Sequence, residues 1–144
     1  MNIVVGVTPR PESAIALDRA IEEALTGVAR LHIVRIAGED LSESPGKAQA
    51  WLDRLSQIRS EGEQLVESLA NQGVTAIHHV EPVATDAATT LLKVARDVDA
   101  DLIIIGIRRR SPVGKLVLGS VSQDILLRAD CPVLVVKAHR DSAD

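Results

Sequence analysis

The chain is expected to fold as one α/β domain, doubly wound around a five-stranded parallel sheet, and three observations lead there. Short apolar runs alternate strictly with segments of helical periodicity, five of the first and four of the second. One run, Leu102-Ile103-Ile104-Ile105, has no polar residue on either face, as in a parallel strand covered on both sides. Apolar residues make up 46% of the chain but include one Trp and no Phe or Tyr, so the core must be Val, Ile, Leu and Ala. Such a core suits helices laid on a parallel sheet.

Asn2 to Val7 reads as the first strand. Thr8-Pro9-Arg10-Pro11 is a turn, since two prolines forbid continuation of ladder or helix. Ala14, Leu17, Ile21 and Ala24 recur at helical spacing opposite Asp18, Arg19 and Glu22, and Gly27 is the expected C-cap. Arg30 to Ile36 is the second strand, and 38–46 is a polar loop of the kind that is usually mobile. The long helix over 47–71 carries Leu55, Ile58, Leu65, Val66 and Leu69 on one stripe. Gly62 inside it costs about 1 kcal/mol against alanine and marks a place for a break.

Thr75 to Val80 is the third strand. The next helix spans Thr85 to Val98, with Thr85 as N-cap and Ala88, Leu91, Leu92, Ala95 and Val98 inward. Asp101 to Gly106 is the fourth strand, Ser120 to Ala129 a short helix and Pro132 to Lys137 the fifth strand, before a polar tail from Ala138 that is expected to fray. Alternation of this kind implies right-handed crossovers and helices on both faces, with ligands beyond the strand C-termini where the strand order reverses. If the first and fourth strands are neighbours, the turns after Val7 and Gly106 face one crevice.

Composition limits the function. At 144 residues the chain can bury roughly 70% of its unfolded surface without a staple. The near absence of aromatic rings argues against single-stranded nucleic acid as ligand, and a net charge of −4 argues against non-specific nucleic-acid binding. Cys131 is the only cysteine, which suits a reducing compartment. No apolar run approaches the ~20 residues of a membrane span, and the first residues do not read as a signal peptide. The expectation is a soluble cytoplasmic protein.

The chemistry-bearing stretch follows the fourth strand. Arg108, Arg109, Arg110 and Lys115 form a cationic loop leading to Gly119-Ser120, and Ser120-Val121-Ser122-Gln123 has the spacing of a capping box with Ser120 as N-cap. A helix start of this kind presents N–H groups and the positive end of a dipole, which suits a phosphate. Each feature also has a structural reading: the loop as solvated surface and Gly119-Ser120 as a cap with no ligand. Cys131 reads as a packed thiol rather than a redox sensor, and Trp51 as a packing or self-association anchor. His32, His78, His79 and His139 lack zinc-ligand spacing, so no metal site is expected.

Several catalytic motifs fail. A Walker A loop around Gly114-Lys115 would need glycine in place of Arg109 and Ser or Thr in place of Leu116. No G-x-G-x-x-G follows the first strand. A receiver domain would need an acidic cluster after the first strand and a phospho-acceptor Asp after the third, where this chain has Thr8 and Glu81-Pro82. No nucleophile–base pair or carboxylate dyad suggests itself, so an enzyme is not expected.

These segments together resemble the universal stress protein family over nearly the whole chain. Nucleotide-binding members carry G-x-x-G-x9-G-[ST] after the fourth strand; here Gly106 opens that motif and Gly119-Ser120 close it. Leu118-Gly119-Ser120-Val121-Ser122 and Ala129-Asp130-Cys131-Pro132-Val133-Leu134-Val135-Val136 look like the family's closing helix and last strand. The resemblance implies the adenine nucleotide alpha hydrolase-like sheet, strand order 3-2-1-4-5, and a stress-response module that binds ATP or a related adenine nucleotide without efficient turnover. It implies Ile36 and Ile105 flanking the base and Gly106, Gly119, Ser120 and Val121 around ribose and phosphates.

Two positions depart from the pattern. Arg109 replaces the second motif glycine, and Thr8 replaces the acidic residue after the first strand. The cationic loop could restore phosphate affinity through charge-assisted bonds. The alternative is a member that has lost nucleotide and acts as a homodimeric interaction module. The resemblance also implies a homodimer through an edge strand at Pro132 to Val136, which would otherwise be an aggregation hazard.

Overall fold

A computed structural model of the chain describes residues 1–83, 86–108 and 118–138. Its elements are β1 (Asn2–Val7), α1 (Pro11–Gly27), β2 (Arg30–Glu39), α2 (Ala48–Asn71), β3 (Ala76–Val83), α3 (Ala87–Asp97), β4 (Leu102–Ile107), α4 (Ser120–Arg128) and β5 (Val133–Lys137). They build one five-stranded sheet in the order β3-β2-β1-β4-β5 with every pairing parallel, as expected. The chain winds outward from β1 through β2 to β3, then crosses back to place β4 on the other side of β1. The C-terminal ends of β1 and β4 are therefore neighbours at the point where winding reverses, where such sheets bind ligands.

The strands alternate their side chains between two cores. Ile3, Val5, Leu31, Ile33 and Ile104 face α1 and α2, while Val4, Val34, Ile103 and Ile105 face α3 and α4. The all-apolar run in β4 thus feeds both layers, and burying each such side chain is worth about 1.5–3 kcal/mol. A third, smaller cluster gathers Ala37 and Ile58 around Trp51, whose exposure of 5% makes it a core residue.

Four local expectations are corrected. The buried stripe of α1 is Ala16, Ala20 and Ala24, flanked by half-buried Leu17 and Ile21, whereas Ala14 is exposed. Gly27 is the last helical residue rather than the cap; Val28 caps α1 at φ 52°, ψ 55°, in the left-handed region and 90% exposed. α2 runs unbroken through Gly62, because a Cβ there would collide with the imidazole of His78 and glycine leaves room for that ring. β2 continues past Ile36 through a register shift and Gly38 (φ 98°) to Glu39, so the start of the expected loop belongs to the sheet.

Thr85 lies outside the described residues. Asp86 caps α3, its carboxylate accepting from the Thr89 amide at 2.8 Å. The expected tail beyond Ala138 also lies outside the described residues.

Candidate functional site: a two-part crevice at the strand C-termini

The crevice starts from how α1 sits on β4. The alanine stripe lets the helix approach the sheet closely, and the carbonyl of Glu12 fills the space that a Cβ at Gly106 would need. Gly106 is thus required by packing, at an ordinary backbone conformation. The β1–α1 turn is tied down beside it. The hydroxyl of Ser13 accepts from the Thr8 amide at 2.8 Å and donates to the Gly6 carbonyl at 3.4 Å, and the Arg10 amide donates to the Thr8 hydroxyl at 3.3 Å. Thr8 therefore uses its hydroxyl to shape the turn.

Two connected spaces open above these contacts. One is an apolar chamber of about 320 Å³ walled by Val7, Ile36, Leu91, Ile105 and Ile125. The other is a polar notch of about 310 Å³, where Arg10 and Arg108 meet the start of α4 at Gly119 and Ser120. Arg10, Glu12, Gly106, Val121 and Ser122 line both, so the two are compartments of one crevice. Volumes of this size are those of small-molecule sites.

The start of α4 differs from the capping box expected there. Gly119 is the N-cap, its carbonyl accepting from the Gln123 amide at 3.0 Å, and no side chain among the described residues caps the helix. Ser120 is the first helical residue, one place too late for its hydroxyl to act as N-cap, and Gln123 one place too late to answer it. The first turn of α4 thereby lines the notch with no side-chain acceptor for its amides among the described residues. A Cβ on Gly119 would have no described atom within 4 Å, so packing among the described residues gives no reason for glycine there.

Of the residues expected at the site, Thr8, Ile36, Ile105, Gly106, Gly119, Ser120 and Val121 are brought together in this crevice. Arg109, Arg110 and Lys115 lie outside the described residues. Sequence reasoning missed Arg10, Glu12 and Ser13. Glu12 is the telling omission: it is only 9% exposed, and its Oε2 is buried with no hydrogen-bond partner among the described residues. A charged residue in the first turn of a helix reads as a solvated dipole partner, and only the packing of α1 over Gly106 shows otherwise.

Elsewhere, Cys131 is half-buried beside a cavity of about 310 Å³ near the N-terminal end of β5, away from the crevice. Burial, then Asp101 and Asp130, push its thiol above the ordinary range, which keeps it protonated. His32 Nε2 donates to Asn2 Oδ1 (3.2 Å), and His32 Nδ1 accepts from His79 Nε2 (3.0 Å). Among the described residues no group of three or more His, Cys, Asp or Glu side chains is placed to hold a metal, and no helix is long and apolar enough to cross a membrane.

A model of the universal stress protein family matches residues 1–137. A universal stress protein from Mycolicibacterium smegmatis is 36% identical over 137 residues, spanning 95% of this chain and 98% of that one. Among solved structures, a universal stress protein from Archaeoglobus fulgidus is 28% identical with a TM-score of 0.72, covering 95% of this chain and 98% of its own. A universal stress protein solved in complex with cAMP is 26% identical with a TM-score of 0.67, covering 94% and 96%.

Proposed function

This chain belongs to the universal stress protein family, and we propose that it binds ATP or a related adenine nucleotide in the crevice between β1 and β4 as a cytoplasmic regulatory module, without efficient turnover. The observation that carries this reading is the start of α4. An uncapped first turn, fronted by a glycine that no described neighbour requires, opens into a notch flanked by Arg10 and Arg108. Peptide amides aligned at a helix start hold phosphate oxygens, and glycine lets them come close. The chamber next door offers Ile36, Ile105 and Leu91 as apolar walls for a base. The relative solved with cAMP supports an adenine nucleotide in particular. No described residue at the crevice forms a nucleophile–base pair with another, which favours binding as the output.

Calorimetric titration of the purified chain with ATP at two salt concentrations tests this reading. Saturable heat that weakens with salt is expected, because Arg10 and Arg108 are exposed. No heat at millimolar nucleotide would remove it.

A second reading, homodimeric assembly, is favoured by the position of β5. It is an edge of the sheet, and Val133, Leu134, Val135 and Val136 remain only half-buried there. Pairing with β5 of a second copy through Pro132 to Val136 would cover that edge. Val135→Lys is expected to shift sedimentation toward monomer; an unchanged profile would count against this edge.

A further inference from the structure

The buried Oε2 of Glu12, without a partner among the described residues, makes a second chemical demand on whatever fills the crevice. The first turn of α4 calls for an anion. Glu12, which lines the passage between notch and chamber, calls for the opposite: a carboxylate oxygen accepts hydrogen bonds, and Oε2 is buried with no donor among the described residues. A buried acceptor left unsatisfied is costly, so a ligand that supplies a donor there gains more than one that merely fits. Inorganic phosphate meets one demand and is repelled by the other. A molecule with hydroxyl groups between an apolar ring and a phosphate meets both.

On the nucleotide reading above, the part that spans the passage is the sugar. We infer that Glu12 accepts hydrogen bonds from the ribose hydroxyls and so makes the crevice select ribonucleotides over deoxyribonucleotides. Glu12 thereby supplies, from the first turn of α1, a carboxylate where Thr8 is engaged in shaping the turn. The backbone fixes its place: the Glu12 carbonyl rests on Gly106, and Ser13 next to it is tied to Gly6 and Thr8.

The test is calorimetry of the full chain with AMP, 2′-deoxy-AMP and 3′-deoxy-AMP, in EDTA so that no cation can bridge the carboxylate to phosphate. The wild-type chain is expected to bind AMP at least ~10-fold more tightly than one of the deoxy forms, the scale of one hydrogen bond to a charged group. Glu12→Gln is expected to bring the nucleotides to within about 2-fold of each other, chiefly by weakening AMP. Equal binding of all three by the wild-type chain would overturn the assignment and leave the nucleotide reading standing; this comparison needs no variant. Discrimination that survives in Glu12→Gln would also overturn it. So would uniformly tighter binding in that variant, which would show a carboxylate that only repels phosphate, or discrimination that appears only with added Mg²⁺. No binding of any nucleotide by the wild-type chain would end both proposals.

Discussion

The backbone carbonyl of Glu12 lies directly against the α-carbon face of Gly106, so the first turn of α1 rests on the last residues of β4 with no side chain between them. That contact lies where Glu12 and Gly106 both line the crevice. It also makes Gly106 a position where stability and binding must fail together. Gly106→Ala would drive a Cβ into backbone atoms that have no rotamer to relax into, and is expected to cost about 2–3 kcal/mol, within the range seen for overpacking. Urea denaturation measures it; a loss below about 0.5 kcal/mol would contradict the contact.

Gly119→Ala should behave in the opposite way. No described atom lies within 4 Å of the added methyl, so the fold is expected to lose no more than about 1 kcal/mol, the cost of a poorer N-cap. ATP affinity is expected to fall ~10-fold, because the methyl stands where phosphate would meet the amides of α4. Equal affinity in the two proteins would argue against phosphate at this helix start.

Gly62→Ala separates helix propensity from packing. In an exposed helix the change would gain about 1 kcal/mol, but here the methyl meets the ring of His78, and a net loss of about 1–2 kcal/mol is expected. Adding His78→Ala should recover part of it, so the two changes are non-additive. Simple additivity in denaturation midpoints would contradict the ring's placement over Gly62.

Val28 caps α1 in a left-handed conformation that disfavours β-branched residues, while its side chain is 90% exposed and packs little. Val28→Gly is therefore expected to stabilise the chain by about 1 kcal/mol. A lowered melting temperature would show that the side chain contributes more than its exposure suggests.

Acid should weaken the fold through three imidazoles. Burial holds His32, His78 and His79 below the ordinary value of 6.5; repulsion from His79 and Arg30 adds to this at His32, and from His79 and Arg35 at His78, while Glu81 partly opposes it at His79. The folded chain then binds fewer protons than the unfolded chain as pH falls past 6.5. The stability these groups contribute is complete above that pH and is lost below it. The urea midpoint is expected to fall between about pH 7.5 and about pH 5.5, and to fall less in His79→Gln. A midpoint that rises toward acid would contradict the sign.

What could be read without coordinates follows from which signals are local. The run Leu102 to Ile105 and the alternation of elements are local, and they led to the parallel sheet and its crevice. The strand order came with the family resemblance, which also brought Ile36, Ile105 and Gly119 into one site although they are far apart in sequence. Helix phase was less legible: Ala14 and Ala16 are equally apolar, and only the packed sheet decides which faces inward. The one-residue shift from Ser120 to Gly119 as N-cap was hidden because both residues cap helices well. Glu12 was invisible for a different reason. Its burial depends on Gly106, ninety-odd positions away, and no local pattern reports that (roughly, a tertiary override).

On the proposed function, the start of α4 receives the phosphates of an adenine nucleotide. Backbone amide resonances of the isotope-labelled chain, followed during titration with ATP, test it most directly. Saturable shifts are expected, largest at Gly119, Ser120, Val121 and Ser122, with smaller ones at Thr8 and Ile105. An unchanged spectrum at millimolar ATP, or shifts confined to the other end of the sheet near Cys131, would contradict it.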